Sequence, residues 1–266
     1  MPPVGTLGAL TAQSVERAGA VVSQLGELQA AARDAAPAHP FASPLRQETV
    51  RVIAEVKRAS PSKGAIAPGI DAAAQAAAYV RGGAVAISVL TEPTRFGGSL
   101  EDLRSVARAV PVPAIRKDFI TAPVQLWEAR AAGASAALLI VRALGPDQLA
   151  RLMDVAAEAQ LSTLVEIRDA QELDWALAVG ATVIGVNNRN LETLIIDPAT
   201  APALIPAIPS ACIAVAESGI QRVDDAWPAA RAGADAMLVG SAISAAADPA
   251  AAVAALGTIP RQPRDR

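Results

Sequence analysis

From Val50 onward, short apolar runs alternate with Ala-, Leu- and Arg-rich stretches, at a spacing of about 20 to 30 residues, the pattern of repeated strand–helix units. The runs predict eight strands: Val52 to Lys57, Ala84 to Leu90, Ala114 to Lys117, Ala136 to Val141, Thr163 to Glu166, Val183 to Val186, Ile213 to Ala216 and Ala236 to Val239. Helices fill the gaps. Four of them end in a glycine suited to a left-handed C-cap, at Gly82-Gly83, Gly133, Gly180 and Gly233. Eight such units in about 215 residues match a (β/α)8 barrel, an α/β fold whose active sites collect at the C-terminal strand ends. An open doubly wound sheet would place a Gly-rich turn after its first strand. Here that position holds the polar loop Arg58-Ala-Ser-Pro-Ser-Lys-Gly64, which favours the barrel.

Residues 1–48 differ in texture, being rich in Ala, Pro and Gln. One amphipathic helix is expected around Gln13 to Ala32, followed by a Pro-broken connector from Pro37 to Pro44. The expected organisation is an N-terminal helical extension over 1–48, a barrel over 49–258 and a short tail over 259–266.

Composition narrows the chemistry. The 266 residues are 52% hydrophobic and 18% charged with a net charge of -3, which argues against disorder and against a nucleic-acid partner. No apolar stretch reaches the roughly 18 residues of a membrane span, and the start of the chain lacks the basic and apolar blocks of a signal peptide. The one cysteine, Cys212, and the one histidine, His39, leave no multi-Cys metal site and no Ser/His/Asp triad built on strands. A reducing, cytoplasmic setting is expected. Acid–base work falls to Lys, Asp, Glu or Tyr.

Charged residues stand where barrel strands end. Glu55 and Lys57 are two apart and face the same side of the first strand. An internal salt bridge that plugs the barrel would explain this pair alone. Lys117 closes the third strand and Glu166 the fifth, however, and two lysines with two glutamates on one rim suit catalysis better than packing. Such a set permits proton transfer without metal or organic cofactor. A desolvated lysine beside a second cation is expected to have a lowered pKa. At the sixth strand end, Asn187 can hydrogen-bond a substrate oxygen and Arg189 can clamp an anion, although Asn-rich loops are common. Glu217-Ser218-Gly219-Ile220 and Val239-Gly240-Ser241-Ala242 are small polar turns after strands seven and eight, each expected to feed a helix. That is where this fold holds phosphate.

Other residues read as structural. Trp127, Trp175 and Trp227 fall on outer helices, Cys212 opens a buried strand as a small hydrophobe and Asp71 is a helix N-cap. The surroundings of Arg231 and Asp235 are expected to be solvated.

Taken in order, the motifs resemble those of the indole-3-glycerol phosphate synthase family. Ile53-Ala-Glu-Val-Lys-Arg-Ala-Ser-Pro-Ser-Lys-Gly64 resembles its first-strand signature. Ala86-Ile-Ser-Val-Leu-Thr-Glu-Pro93 and Phe96-Gly-Gly-Ser-Leu100 resemble its second unit. Arg116-Lys-Asp-Phe-Ile120, Leu164-Val-Glu-Ile167, Ile184-Gly-Val-Asn-Asn-Arg-Asn-Leu191, Glu217-Ser-Gly-Ile220 and Leu238-Val-Gly-Ser241 continue the match. The resemblance implies a cofactor-free lyase that converts 1-(2-carboxyphenylamino)-1-deoxyribulose 5-phosphate to indole-3-glycerol phosphate, with loss of carbon dioxide and water, in tryptophan biosynthesis. It implies Lys117 as general acid, Glu166 in the dehydration, Lys57 beside the departing carboxylate, Glu55 orienting the lysines, and Asn187 and Ser218 completing the catalytic set. Arg58, Ser60, Phe96, Phe119, Arg189 and Leu238 would bind substrate, and Gly219, Gly240 and Ser241 its phosphate. The implied partner is a phosphorylated small molecule, with no nucleic acid and no membrane. The chain is expected to be a monomer, at most weakly associated with other enzymes of the pathway.

The sequence departs from the family in three places. The N-terminal segment, which in the family forms a helix over the barrel top, is here Ala/Pro-rich. Thr121-Ala-Pro-Val124 replaces an acidic, tyrosine-containing helix start, and Arg168 stands where histidine is common. Two rival readings remain. Phosphoribosylanthranilate isomerase would place a cysteine at the end of strand one, where this chain has Glu55 and Lys57. A barrel that binds without turnover would have little reason to keep a costly buried charge cluster.

Overall fold

In a computed structural model describing residues 2–264, eight parallel strands close into a barrel. They are β1 (Arg51–Val56), β2 (Ala86–Leu90), β3 (Ala114–Lys117), β4 (Ala136–Ile140), β5 (Ser162–Ile167), β6 (Val183–Asn187), β7 (Ile213–Glu217) and β8 (Ala236–Val239). Each pairs with its neighbour in sequence, and β8 returns to β1 through Ile53↔Leu238. The expected strands are all present, with small shifts at the ends. Strands β6 and β7 each run one residue further than expected and so take in Asn187 and Glu217. The second strand begins at Ala86 instead of Ala84.

Period-two alternation sorts the side chains. Ile53, Ala86, Ile115, Leu138, Leu164, Val183, Val215 and Leu238 fill the barrel interior. Their neighbours Val52, Ala54, Ile87, Val165, Ile184 and Ala214 pack outward against the helices. The same alternation carries Glu55, Lys117, Glu166, Asn187 and Glu217 inward at the C-terminal ends. Left-handed glycines close the helices as expected, at Gly83 (φ 93°), Gly133 (φ 89°), Gly180 (φ 76°) and Gly233 (φ 96°). Asp71 accepts from the Ala74 N–H as the expected N-cap.

The N-terminal segment holds two helices where one was expected, α1 (Gly5–Val21) and α2 (Leu25–Asp34), joined by a 3-10 turn at Val22–Gln24. Helix α1 starts eight residues before the expected Gln13 because Leu7, Leu10, Ser14 and Ala18 form a buried stripe at helical spacing. Leu7 and Leu10 join the interior cluster. Arg17 pairs with Asp118 at 2.7 Å and Ser14 accepts from Gln125 at 2.8 Å. The segment therefore sits over the loops that follow β2, β3 and β6, despite its departure from the family pattern.

The opposite end of the barrel shows a second difference. Asp235 is fully buried, contrary to the expectation of a solvated region. It accepts from the Ala214 N–H (2.8 Å), Arg261 (2.7 Å) and Arg264 (2.8 Å), with Arg46 at 3.7 Å. Burial is stable here because both carboxylate oxygens are hydrogen-bonded and paired with cations. The C-terminal tail supplies two of those cations and is thereby fixed to the barrel floor. Cys212 stands just before β7 and is only partly buried. His39 is exposed, with its N–H on Ser135, far from the catalytic end. No helix among the described residues is long and apolar enough to cross a membrane.

Candidate active site

A cavity opens at the C-terminal ends of the strands, and most of the expected site residues line it. Glu55, Lys57, Ser60, Phe96, Lys117, Phe119, Glu166, Asn187, Arg189, Ser218, Gly219, Leu238, Gly240 and Ser241 all contribute to its wall. Arg58 does not. Its guanidinium turns outward to grip Asp102 through both nitrogens, at 2.6 and 2.8 Å, and also donates to the Ile70 carbonyl. The loop it anchors folds back as a small hairpin, Ala59–Ser60 against Gly64–Ala65, and presents Ser60 to the cavity. Lys63 on that hairpin reaches Gln221 beyond β7 at 3.2 Å.

The charges form two linked groups. Lys57 is ion-paired with Glu55. Lys117 donates to Glu166 and to Glu217, each at 3.2 Å. Glu217 belongs to the site, beyond its expected place as the first residue of a phosphate turn. The signal was legible, since Ile213, Val215 and Glu217 alternate inward on one strand. Glycine makes the room: a Cβ on Gly185 would overlap the Glu217 carboxylate, and one on Gly240 would overlap that of Glu55.

The direction of the Lys117 shift reverses the expectation. Burial does pull its ammonium down, but Glu217, Glu166 and Glu55 outweigh that and hold it above the ordinary lysine range. Its neighbours are carboxylates, and the second lysine is occupied by Glu55. Burial also pushes Glu217 up to about 7, against the opposing pull of Lys117. Among the described residues, Oε1 of Glu217 and Oγ of Ser88 in the barrel interior have no hydrogen-bond partner. An unmet buried carboxylate oxygen favours the protonated form.

Supporting residues fix the aromatic wall. Buried Glu92 accepts the N–H groups of Thr94, Arg95 and Phe96, with oxygen-to-nitrogen distances of 2.7–3.1 Å. Asp118 accepts the Phe119 N–H and the Thr91 hydroxyl, both at 2.8 Å. The two rings face each other across 6.2 Å at a 38° tilt, a geometry usual for aromatic pairs. No sequence signal had separated Glu92 or Asp118 from ordinary loop carboxylates. Asn187 accepts the Arg189 N–H at 2.9 Å, while the Arg189 guanidinium donates to the Leu194 carbonyl. Arg168 bridges the Asn187 and Asn188 carbonyls and the Thr200 hydroxyl.

Each turn feeds a helix, as expected. After β7 the next helix starts only at Val223, and after β8 it is the single turn Ser241–Ser244. Ser218 and Gly219, both in the cavity wall, take successive positive φ values of 63° and 85°. For a serine this conformation costs about 1 kcal/mol or more, and such strain concentrates at functional sites.

Fold and site together define a (β/α)8 barrel with paired lysines and glutamates at its catalytic end. A solved structure of 3-hexulose-6-phosphate synthase from Salmonella typhimurium shares the fold, with a TM-score of 0.63 over 78% of this chain and 97% of that one, at 16% identity. The sequence is more specific. Residues 7–256 match the model of the indole-3-glycerol phosphate synthase family, and the chain belongs to that family. The indole-3-glycerol phosphate synthase of Rhodococcus jostii is 50% identical over 235 residues, covering 88% of this chain and 87% of that protein. That of Kineococcus radiotolerans is 53% identical over 210 residues, covering 79% and 77%.

Proposed function

We propose that the chain is a cofactor-free carboxy-lyase that closes the indole ring of indole-3-glycerol phosphate from 1-(2-carboxyphenylamino)-1-deoxyribulose 5-phosphate. The observation that carries this reading is Lys117 held between Glu166 and Glu217 at the barrel rim, in a chain of this family.

The chemistry divides over named groups. The anthranilate ring lies against Phe96, Phe119 and Leu238. The sugar phosphate sits at Gly219, Gly240 and Ser241, in the cavity wall after β7 and β8, where peptide N–H groups can meet an anion. Lys117 donates a proton to the ketone oxygen as the ring carbon attacks. Lys57 neutralises the carboxylate until it leaves as carbon dioxide, and Glu55 keeps that ammonium in place. Glu166 takes the proton from the sugar carbon as water departs, with Asn187 and Ser218 orienting the hydroxyls and Arg189 adding positive charge. The groups are fixed before substrate arrives, so little reorganisation is needed in the transition state.

The test is incubation of the purified protein with the carboxyphenylamino-deoxyribulose phosphate, without added metal or cofactor. Concurrent growth of indole fluorescence and carbon dioxide is the expected result. Tight binding without either signal would favour a barrel that binds and does not turn over.

A further inference from the structure

Beside Glu166 the fold leaves a second cavity, of about 320 Å³, which shares Glu166, Asn187 and Arg189 with the catalytic cavity. That volume accommodates several waters, and the wall is polar enough to hold them. Its outer side is built by Arg142, Arg168 and Glu172. Glu172 lies in the first turn of helix Ala170–Ala178, only 4% exposed. Its Oε2 accepts the Arg168 N–H at 2.7 Å, and its own N–H donates to Asp169 at 2.9 Å, a reciprocal cap. The charged groups around it are Asp169, Glu166 and Arg142. Burial, reinforced by the two carboxylates and opposed by the Arg168 N–H and Arg142, lifts Glu172 to about 7. A cap needs no such proton affinity, and the catalytic scheme above makes no use of this residue.

The reaction, however, needs a proton from outside. Two protons reach the ketone oxygen, one on ring closure and one as it departs as water. Only one returns from the substrate carbon, and the carboxylate leaves as neutral carbon dioxide. One proton per turnover is therefore drawn from solvent. The catalytic cavity, with Ser60 in its wall, holds the substrate at that moment. Lys117 touches Glu166, and Glu166 is also part of the second cavity's wall.

We propose that the second cavity is the proton inlet of the site, with Glu172 passing one proton per turnover through water to Glu166 and from there to Lys117. The proposal rests on the roles assigned above to Lys117 and Glu166. Glu172 acts through Glu166 and is a positioning and relay residue, with no contact to substrate.

The test compares wild type, Glu172→Gln, Glu172→Ala and Glu166→Gln by kcat, KM and melting temperature between pH 5.5 and 9. Glutamine keeps an acceptor for the Arg168 N–H and so preserves the cap. In wild type, kcat should decline as pH rises past about 7, as Glu172 loses its proton. Glu172→Gln should lower kcat about threefold or more at pH 6.5, abolish that decline and leave KM within about twofold. Added imidazolium, small enough to enter the cavity, should restore part of the rate in Glu172→Ala. Wild-type kcat and pH profile in Glu172→Gln would overturn the inlet, as would a uniform loss at every pH that imidazolium does not relieve. Full turnover in Glu166→Gln would instead overturn the underlying role of Glu166. An inactive Glu166→Gln beside an unaltered Glu172→Gln would remove the relay alone.

Discussion

The ammonium of Lys117 lies 3.2 Å from the carboxylate of Glu217, a residue one hundred positions further along the chain. Their meeting depends on Gly185, whose missing side chain leaves space for that carboxylate. Gly185→Ala should displace Glu217 from Lys117 and destabilise the fold by about 1–3 kcal/mol through overpacking. Denaturant unfolding and kcat, measured together, check this. An unchanged stability would mean that the carboxylate has another place to go.

Glu217 also predicts a pH dependence of stability. Its folded-state pKa is raised above the unfolded value by burial, so its contribution is fully present below the ordinary glutamate range, and stability declines as pH rises from there toward about 7. Glu217→Gln keeps an acceptor near Lys117 and removes that titration. The melting temperature of wild type relative to the variant should therefore fall between pH 5 and pH 7, and a constant difference would contradict the shift.

Arg58 and Asp102 anchor the hairpin beside the cavity. The Ile66 and Ala67 N–H groups donate to the Arg58 carbonyl at 2.8 and 3.0 Å. Arg58→Ala should speed amide exchange at both positions and raise KM, since the mobile hairpin must be ordered at each binding event. Burial raises the Asp102 carboxyl, but the hydrogen bonds and charge of Arg58, with Ser99, outweigh it and hold it below the ordinary range. The anchor is thus present above the unfolded carboxylate range and weakens as pH falls through the lower folded value. Hydrogen exchange that is equal in wild type and Arg58→Ala at neutral pH would show that the hairpin is held by other contacts.

On the barrel floor, Asp235→Ala leaves Arg46, Arg261 and Arg264 facing one another without their shared carboxylate. Breaking a buried ion pair from one side costs about 3–5 kcal/mol. Equilibrium unfolding should show a loss of that order, and removal of residues 261–266 should lower stability in the same direction. A loss within about 0.5 kcal/mol, typical of a surface change, would contradict the clamp.

The barrel was legible because period-two strands, helical stretches and capping glycines repeat eight times and agree with one another. The charged rim was legible for the same reason: Glu55, Lys117 and Glu166 each close an alternating run. What the chain pattern could not supply was the angular order around the barrel. Lys117 reads as a neighbour of a second cation when strands are considered singly, whereas closure sets it among Glu166, Glu217 and Glu55 and reverses its shift. Arg58 sits next to Lys57 in sequence, but the chain leaves the strand there, so its side chain faces Asp102 instead of the cavity. Asp235 stands just before a strand, among Gly and Ala, and its burial depends on tail residues that come near it only in the folded protein. The start of α1 was missed because its buried stripe is made of spaced leucines among Gly, Ala and Ser, a weak signal until the barrel top is present to cover it.

In the proposed reaction Lys117 protonates the ketone as the ring carbon attacks, with no metal or organic cofactor taking part. The most direct measurement is a single-turnover experiment in chelator-treated protein, following indole formation and carbon dioxide release in wild type and in Lys117→Ala. Both signals should grow at equal rates in wild type, with a loss of about a hundredfold or more in the variant. Near-normal rates in Lys117→Ala, or a wild type that is inactive until metal is returned, would contradict it.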